Sequence, residues 1–429
     1  MGGAEMGRVE MNRVRGRATR CARRTFGDES ASLVCIASRN VGRAVSLIVL
    51  VAALLWAPSA NAGMTYKIDD VRSFSAGIGL RGSFSATEDG APNNDDWSND
   101  FNLDNARIYL GGTILPWLKA ELNTECAFCG GDNQKFVVLD AILKFELNPY
   151  FNIWAGRLLV PSERVEMDGP YYGNVYENYK TPFYPSDFSG GFGTGGAGLY
   201  ARDHGVNIWG NLGKLKYVFG AFNGLQGNAN AGDNLLWATR IAYQFLDVED
   251  NPAYYTSSSY YGAAHVLTLG LAVQYQNDGA GSSAHPGDFL GMSLDLLFEQ
   301  PLGGAGVFTF EGEVKRFETN YSIAAFNDND NFGMFEGNAY TGTALYLLPT
   351  ATGPGKLQPY VRYTNIDPSA SSSRDEFEAG CNYIISGHNA KVSLFYQYGD
   401  IATRGIVDFS PGVTGKKVSA VKLGVQLQI

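Results

Sequence analysis

Residues 63–429 predict an all-β fold: a closed antiparallel 16-stranded transmembrane β-barrel with short periplasmic turns and long external loops. Three observations carry this reading. Apolar and polar residues alternate with period two in stretches of about ten to fourteen residues, the mark of strands with two unlike faces. The stretches number sixteen, and an even count returns the chain to the rim where it started. The connections alternate between short and long, which is the asymmetry of an outer-membrane barrel.

The segment before the barrel reads differently. The chain has 429 residues and a net charge of −10, which divides into +5 over residues 1–62 and −15 over residues 63–429. Arg39–Arg43 precede an apolar run from Ala44 to Ala57, then Pro58-Ser59-Ala60-Asn61-Ala62 and Gly63. Basic flank, short apolar centre and an Ala-x-Ala end make residues 39–62 a secretory signal peptide, cleaved after Ala62. The apolar run is shorter than the roughly 20 residues a spanning helix needs. Residues 1–38 lie ahead of a signal that is already complete, so we read them as an extension from a start codon placed too far upstream. Arg23-Arg24-Thr25-Phe26 has a twin-arginine look, but the apolar centre begins about twenty residues later.

The expected strands are 72–84, 101–113, 118–127, 136–147, 151–163, 199–211, 214–224, 234–246, 264–277, 287–299, 305–319, 339–349, 357–368, 375–386, 389–402 and 418–429. The last is the plainest. Val421, Leu423, Val425, Leu427 and Ile429 form one face, while Lys422, Gly424, Gln426 and Gln428 form the other. In 264–277, Leu267, Leu269, Leu271, Val273 and Tyr275 alternate with Thr268, Gly270, Ala272, Gln274 and Gln276. A charge at Leu269 or Val425 should therefore face lipid, whereas one at Gly270 or Gln426 should be tolerated. Leu115-Pro116-Trp117, Asn148-Pro149-Tyr150, Gly213 and Gly387-His388 are tight turns. Loops 85–100, 164–198, 320–338 and 403–417 are long and rich in Gly, Asp and Asn. The Tyr-rich connection 247–263 breaks the rule, being long where a short turn belongs.

Ionisable residues recur on the face opposite the apolar one. Arg81, Arg107, Lys119, Lys216, Arg240, Lys315, Arg362 and Lys391 are the pore-lining candidates, with Lys144, Lys422 and the carboxylates Glu121, Asp140, Glu146, Asp295, Glu311 and Glu313 at the same parity. A dry core would make these charges very costly, and a water-filled lumen removes that cost. Loop 164–198 carries Arg164, Lys180 and aromatics that include Tyr171, Tyr172, Tyr176, Tyr179, Phe183 and Tyr184. A long loop of this kind usually has a task, and folding inward to constrict the pore is the one expected here.

Other chemistry finds little support. Cys126 and Cys129 form a Cys-x-x-Cys at a strand end beside Gly130-Gly131, read as a local disulfide in an oxidising compartment. The four His residues lack ligand spacing, so no metal site, and no other cofactor, is expected. The Gly-rich stretch 189–198 lacks phosphate-loop spacing, and there is no nucleophile elbow, so no enzyme is expected. The acidic body argues against nucleic acid as a partner.

Several stretches resemble the phosphate-selective porin O and P family. They include Asp104-Asn105-Ala106-Arg107-Ile108-Tyr109-Leu110-Gly111-Gly112, Leu139-Asp140-Ala141 with Trp154-Ala155-Gly156-Arg157, and Arg202-Asp203-His204-Gly205-Val206. Gly220-Ala221-Phe222-Asn223-Gly224 and Gly380-Cys381-Asn382-Tyr383 with Gly387-His388-Asn389-Ala390-Lys391 extend the similarity over roughly residues 70–429. The resemblance implies a homotrimeric, anion-preferring porin in the bacterial outer membrane, in contact with its lipid and passing small anions or other small solutes. The terminal Ile429 departs from the aromatic last residue common in such barrels. Passive diffusion of small hydrophilic solutes is the leading expectation. A channel specific for a larger or more apolar compound is the alternative, and an adhesive or enzymatic barrel comes third.

Overall fold

The computed structural model describes residues 63–127, 129, 135–182, 201–224, 234–332, 334–401 and 409–429. The expected extension and signal peptide, and residues 183–198 of the expected constriction loop, lie outside the described residues. A four-residue strand, β1 (Met64–Lys67), lies beside the first long strand, β2 (Ser73–Thr87). The wall continues through β3 (Ser98–Leu115), β4 (Leu118–Ala127), β5 (Lys135–Asn148), β6 (Phe151–Leu159), β7 (Arg202–Leu212), β8 (Leu215–Phe222) and β9 (Leu236–Gln244). It goes on through β10 (Val266–Gly281), β11 (Pro286–Pro301), β12 (Val307–Thr319) and β13 (Gly337–Leu347). The two-residue β14 (Ala351–Thr352) pairs against β15 (Gly355–Pro368), followed by β16 (Arg374–Ser386), β17 (Ala390–Gly399) and β18 (Val418–Gln428).

Leaving aside β1 and β14, sixteen antiparallel strands pair each with the next, and β18 pairs with β2 from Ala420↔Thr87 to Gln428↔Gly79. The sheet thus closes and has no open edge among the long strands, the condition for crossing a bilayer with strands. Among the described residues no helix is long and apolar enough to do so. Each expected strand has its counterpart. Two ends differ by four residues: β10 runs on to Gly281 where the pattern stopped at residue 277, and β6 ends at Leu159 where the pattern extended to residue 163. Pro161 lacks an N–H for a ladder there.

The alternation sets the two faces. Leu271 of β10 is 51% exposed and its neighbour Ala272 is 2% exposed. Phe219, Trp237, Ile241, Leu294, Val314, Tyr340, Tyr363, Leu394, Tyr396 and Val421 stand outward around the wall, an apolar belt too continuous for a surface in water. Register shifts opposite Arg81/Gly82 of β2 and Asn123/Thr124 of β4 insert bulges at Asp104 in β3 and Leu139 in β5. A bulge leaves one residue unpaired and re-aims its neighbours, and at the second both Leu139 and Asp140 are buried.

The interior is fuller than a plain wet tube. Phe289, Phe317, Phe332, Phe335, Ile366, Ile401 and Phe409 join Trp154, Leu159, Trp209, Phe222 and Tyr254 in one buried apolar cluster. Residues from β6–β9, together with Phe332, Phe335, Ile401 and Phe409 from the connections, supply an apolar packing that strand parity does not reveal.

Candidate constriction in the barrel lumen

After β6 the chain turns inward. Val160 N–H donates to Ala201 O at 2.9 Å, and Pro161 ends the ladder. A short helical stretch follows, α1 (Arg164–Tyr172), broken where Gly169 adopts φ 69° ahead of Pro170. Only glycine takes that backbone readily, so the break is set by the sequence. Residues 173–182 then run on through the interior with Val175, Tyr176, Tyr179 and Lys180 buried.

The wall grips this segment through its backbone carbonyls. Gln426 of β18 donates to Tyr171 O at 2.8 Å, Lys391 of β17 to Gly173 O at 2.7 Å, and Asn382 of β16 to Asn174 O at 2.8 Å. Arg81 of β2 donates to Tyr176 O, and Arg362 of β15 to Glu177 O at 2.6 Å. Side chains add charge-assisted contacts. Lys315 lies 2.7 Å from Glu163, and Lys180 lies 3.1 Å from Glu376. Glu177 meets Lys180 at 2.8 Å and also Lys422. Burial alone would raise the Glu177 carboxyl; the two ammonium groups hold it well below the usual carboxylate range.

A second segment enters from the other rim. The connection 247–263 between β9 and β10 tucks upward, burying Tyr254, Thr256, Ser257, Ser258 and Ser259. Glu249 takes both Arg164 Nη1 and Nη2 at 2.8 Å in a bidentate pair, and Nη1 also donates to Ser257 O at 2.8 Å. Thr256 Oγ1 donates to Arg164 O at 2.9 Å, and Ser258 N–H to Tyr172 O at 3.1 Å. Glu299 of β11 receives Ser259 Oγ at 2.8 Å and Gly262 N–H at 2.8 Å. Burial would raise Glu249, but Arg164 overrides it and brings the carboxyl down to about 2. His388, in the tight turn before β17, has Ser257 Oγ 3.0 Å from its Nε2; burial and then Lys391 push it down to about 3, so its ring is neutral.

All eight pore-lining candidates point into the barrel, and seven are buried. Lys119 is the exception, its side chain 40% exposed beside Glu146 near the short-turn rim. They are not the freely solvated wall charges that the sequence suggests. Arg107 pairs with Glu125, Arg240 with Asp295, Lys315 with Glu163, and Arg362 with Glu378 at 2.6 Å. Among the described residues, Arg81, Lys216 and Lys391 have no carboxylate within ion-pair distance. The constriction-loop candidates Arg164 and Lys180 are buried and paired, as above. Cys126 and Cys129 are joined as a disulfide. Sequence reasoning missed Glu249 and Ser258, because nothing in residues 247–263 signals inward folding, and it did not single out Asp168 within the expected constriction loop.

What stays open is one side. A cavity of about 440 Å³ lies between α1 and the inner faces of β3, β4, β5 and β7, lined by Arg107, Tyr109, Glu121, Asn123, Asp140, Lys144 and Arg202 on the wall. Met167, Asp168, Tyr171 and Tyr172 face it from α1, and Tyr255 and Thr256 from the second segment. A smaller space of about 250 Å³ lies between Arg81, Asp104, Tyr176, Glu177 and Lys422. Among the described residues no cluster suits a metal ion.

No family model and no curated protein matches the chain. Solved structures do. The anion-selective porin from Comamonas acidovorans is 15% identical over 83% of this chain and 100% of its own, with a TM-score of 0.54. OmpF of Salmonella typhi, in complex with daunomycin, is 14% identical over 85% and 100%, at 0.51. OprB of Pseudomonas putida, in its high-pH structure, is 10% identical over 83% and 94%, at 0.51. At these identities the likeness is one of architecture, and the architecture shared is the closed antiparallel β-barrel.

Proposed function

We propose that this chain is an outer-membrane porin through which small hydrophilic solutes diffuse passively, with a moderate preference for anions. The observation that carries the reading is the pairing of an apolar outer belt with an inner wall of charged and amide side chains narrowed by residues 164–182. Such a wall offers donors and acceptors in place of a solute's hydration shell. Arg81, Lys216 and Lys391, which lack carboxylate partners among the described residues, supply the anion preference. The paired cations contribute little, because each neighbouring carboxylate cancels its field. The resemblance to the phosphate-selective porin O and P family supports a homotrimeric assembly and a small anion, phosphate or similar, as the solute. Export through a signal peptide at residues 39–62 completes the reading.

Purified protein in a planar bilayer under a salt gradient is expected to conduct with a reversal potential of anionic sign. Replacing Lys216 and Lys391 together by Met should move that potential toward zero. A cation-selective wild-type channel would sink the anion preference and leave the porin reading standing. The tyrosines around the larger cavity favour a second reading, a channel for a larger or more apolar compound. Low conductance that a specific ligand blocks further would select it.

A further inference from the structure

Ser258 Oγ lies within hydrogen-bond distance of Asp168 Oδ2 on α1 and 2.6 Å from Glu311 Oε1 on β12. All three residues are buried. A hydroxyl carries one hydrogen and can donate it to one acceptor. The second contact is a hydrogen bond only if that carboxyl carries its own proton and donates to Oγ. With both carboxylates ionised, an oxygen lone pair would face Ser258 with nothing between them, and two negative charges would sit side by side on buried residues.

Resting on the porin reading above, we propose that Asp168, Ser258 and Glu311 share one proton that clamps the constricting segment to the wall and to the inserted connection, and that losing it opens the lumen. The clamp joins three separate parts: the segment after β6, the wall strand β12, and the connection entering from the opposite rim. Its charged surroundings do not supply a substitute for the proton. Among the described residues neither Asp168 nor Glu311 has a cationic side chain within ion-pair distance. Arg164, on the same segment, is engaged by Glu249. Asp295 of β11 and Glu313 of β12 add negative charge near Glu311, and Lys391 of β17 acts on Asp168 only from a distance. Asn174 Nδ2 donates to Glu311 Oε2 at 2.7 Å, and Thr256 is also near Asp168. Burial, then the Glu311 charge, holds the Asp168 carboxyl well above the usual carboxylate range.

The proton passes to water or hydroxide, and the site gains one negative charge. The sign follows from linkage. A carboxyl raised in the docked state binds more protons there than when undocked, so docking weakens as pH rises from the ordinary carboxylate value to the docked one. Conductance should therefore rise with pH.

Infrared spectra of the detergent-purified protein at neutral pH should show a protonated-carboxyl band that Asp168→Asn and Glu311→Gln each weaken. Bilayer conductance of the wild type should increase as pH is raised, and Glu311→Gln, whose amide donates without titrating, should lose that response. Ser258→Ala removes the bridge without adding volume and should lose it too. Absence of the infrared band, or an unchanged pH response in Glu311→Gln with intact β-sheet circular dichroism, would overturn the clamp. A barrel that conducts at no pH refutes the porin reading, while the infrared band still decides the shared proton.

Discussion

The two halves of the barrel interior use the same residue types for different ends. On the side of β3–β7 the charges pair within the wall: Arg107 with Glu125, Lys144 with Glu121, Lys119 with Glu146, and Arg202 with Asp140 at 2.9 Å. That side faces the larger cavity. On the side of β9–β18 Arg240 pairs with Asp295 and Arg362 with Glu378 within the wall, yet each arginine also donates to a carbonyl of the inserted segment, Ser162 O and Glu177 O. Lys315, Lys422 and Glu376 take partners from residues 163–180. A charge at inward parity can thus zip neighbouring strands or hold an inserted segment. Only the second kind couples to the width of the lumen. Breaking contacts in each half separates the two uses.

The largest effect should come from the pair at the centre of the held half. Glu249→Ala leaves the Arg164 guanidinium buried with its bidentate partner gone, and breaking such a pair costs about 3–5 kcal/mol. Hydrogen exchange should quicken in residues 163–181 and 249–259 while β3–β5 stay protected; equal protection in mutant and wild type would refute the assignment. The same pair gives a pH dependence. The Glu249 carboxyl is depressed to about 2 when docked, so its contribution is present above the ordinary Glu value of about 4.3 and is lost as pH falls toward 2. Acid should therefore loosen the Arg164 contact, in the opposite direction to the Ser258 clamp. Exchange in residues 163–181 should show protection greatest between the two limits.

The wall itself responds to charge on its outer face. Leu269→Arg should cost about 2–4 kcal/mol near the bilayer midplane, measured as the folded fraction by heat-modifiable electrophoresis. The sequence pairs this with tolerance at Gly270 and Gln426, and there the structure corrects it. A Cβ at Gly270 would stand 2.2 Å from Arg240 Nη2, and Gln426 is fully buried, donating to Tyr171 O and to His388 O at 2.6 Å. Charge at either position should impair the held half, though not through lipid.

That correction marks how far the sequence could be read. Alternation in β10 and β18 gives the direction of each side chain, since a strand has only two faces. The rhythm of short and long connections gives the strand count. Direction is not contact, however. Arg240 and Lys119 share a parity, yet one is buried against Asp295 and the other is half in solvent, because what fills the lumen comes from distant loops. Residues 247–263 have no period to read, and their Ser-rich run found partners only once the wall had closed around it. Arg164 was legible as a residue of the constricting loop, whereas its partner Glu249, 85 residues away, was not.

The smallest effect belongs to the cavity side. Lys119 Nζ lies 2.5 Å from Glu146 Oε2, but the two side chains are 40% and 24% exposed, so water screens the pair. Exposed pairs are worth about 0–1 kcal/mol, and immobilising a long lysine offsets part of that. Lys119→Met, Glu146→Gln and the double variant should each leave folding and exchange in residues 163–181 within error of the wild type. The coupling energy from the cycle should stay below about 1 kcal/mol and shrink further in high salt. The pair touches no inserted segment, so conductance should change only through the local field at the rim. A coupling as large as that expected for Arg164 and Glu249 would mean that the cavity-side wall also bears on the constriction, and the division of the interior into two halves would fail.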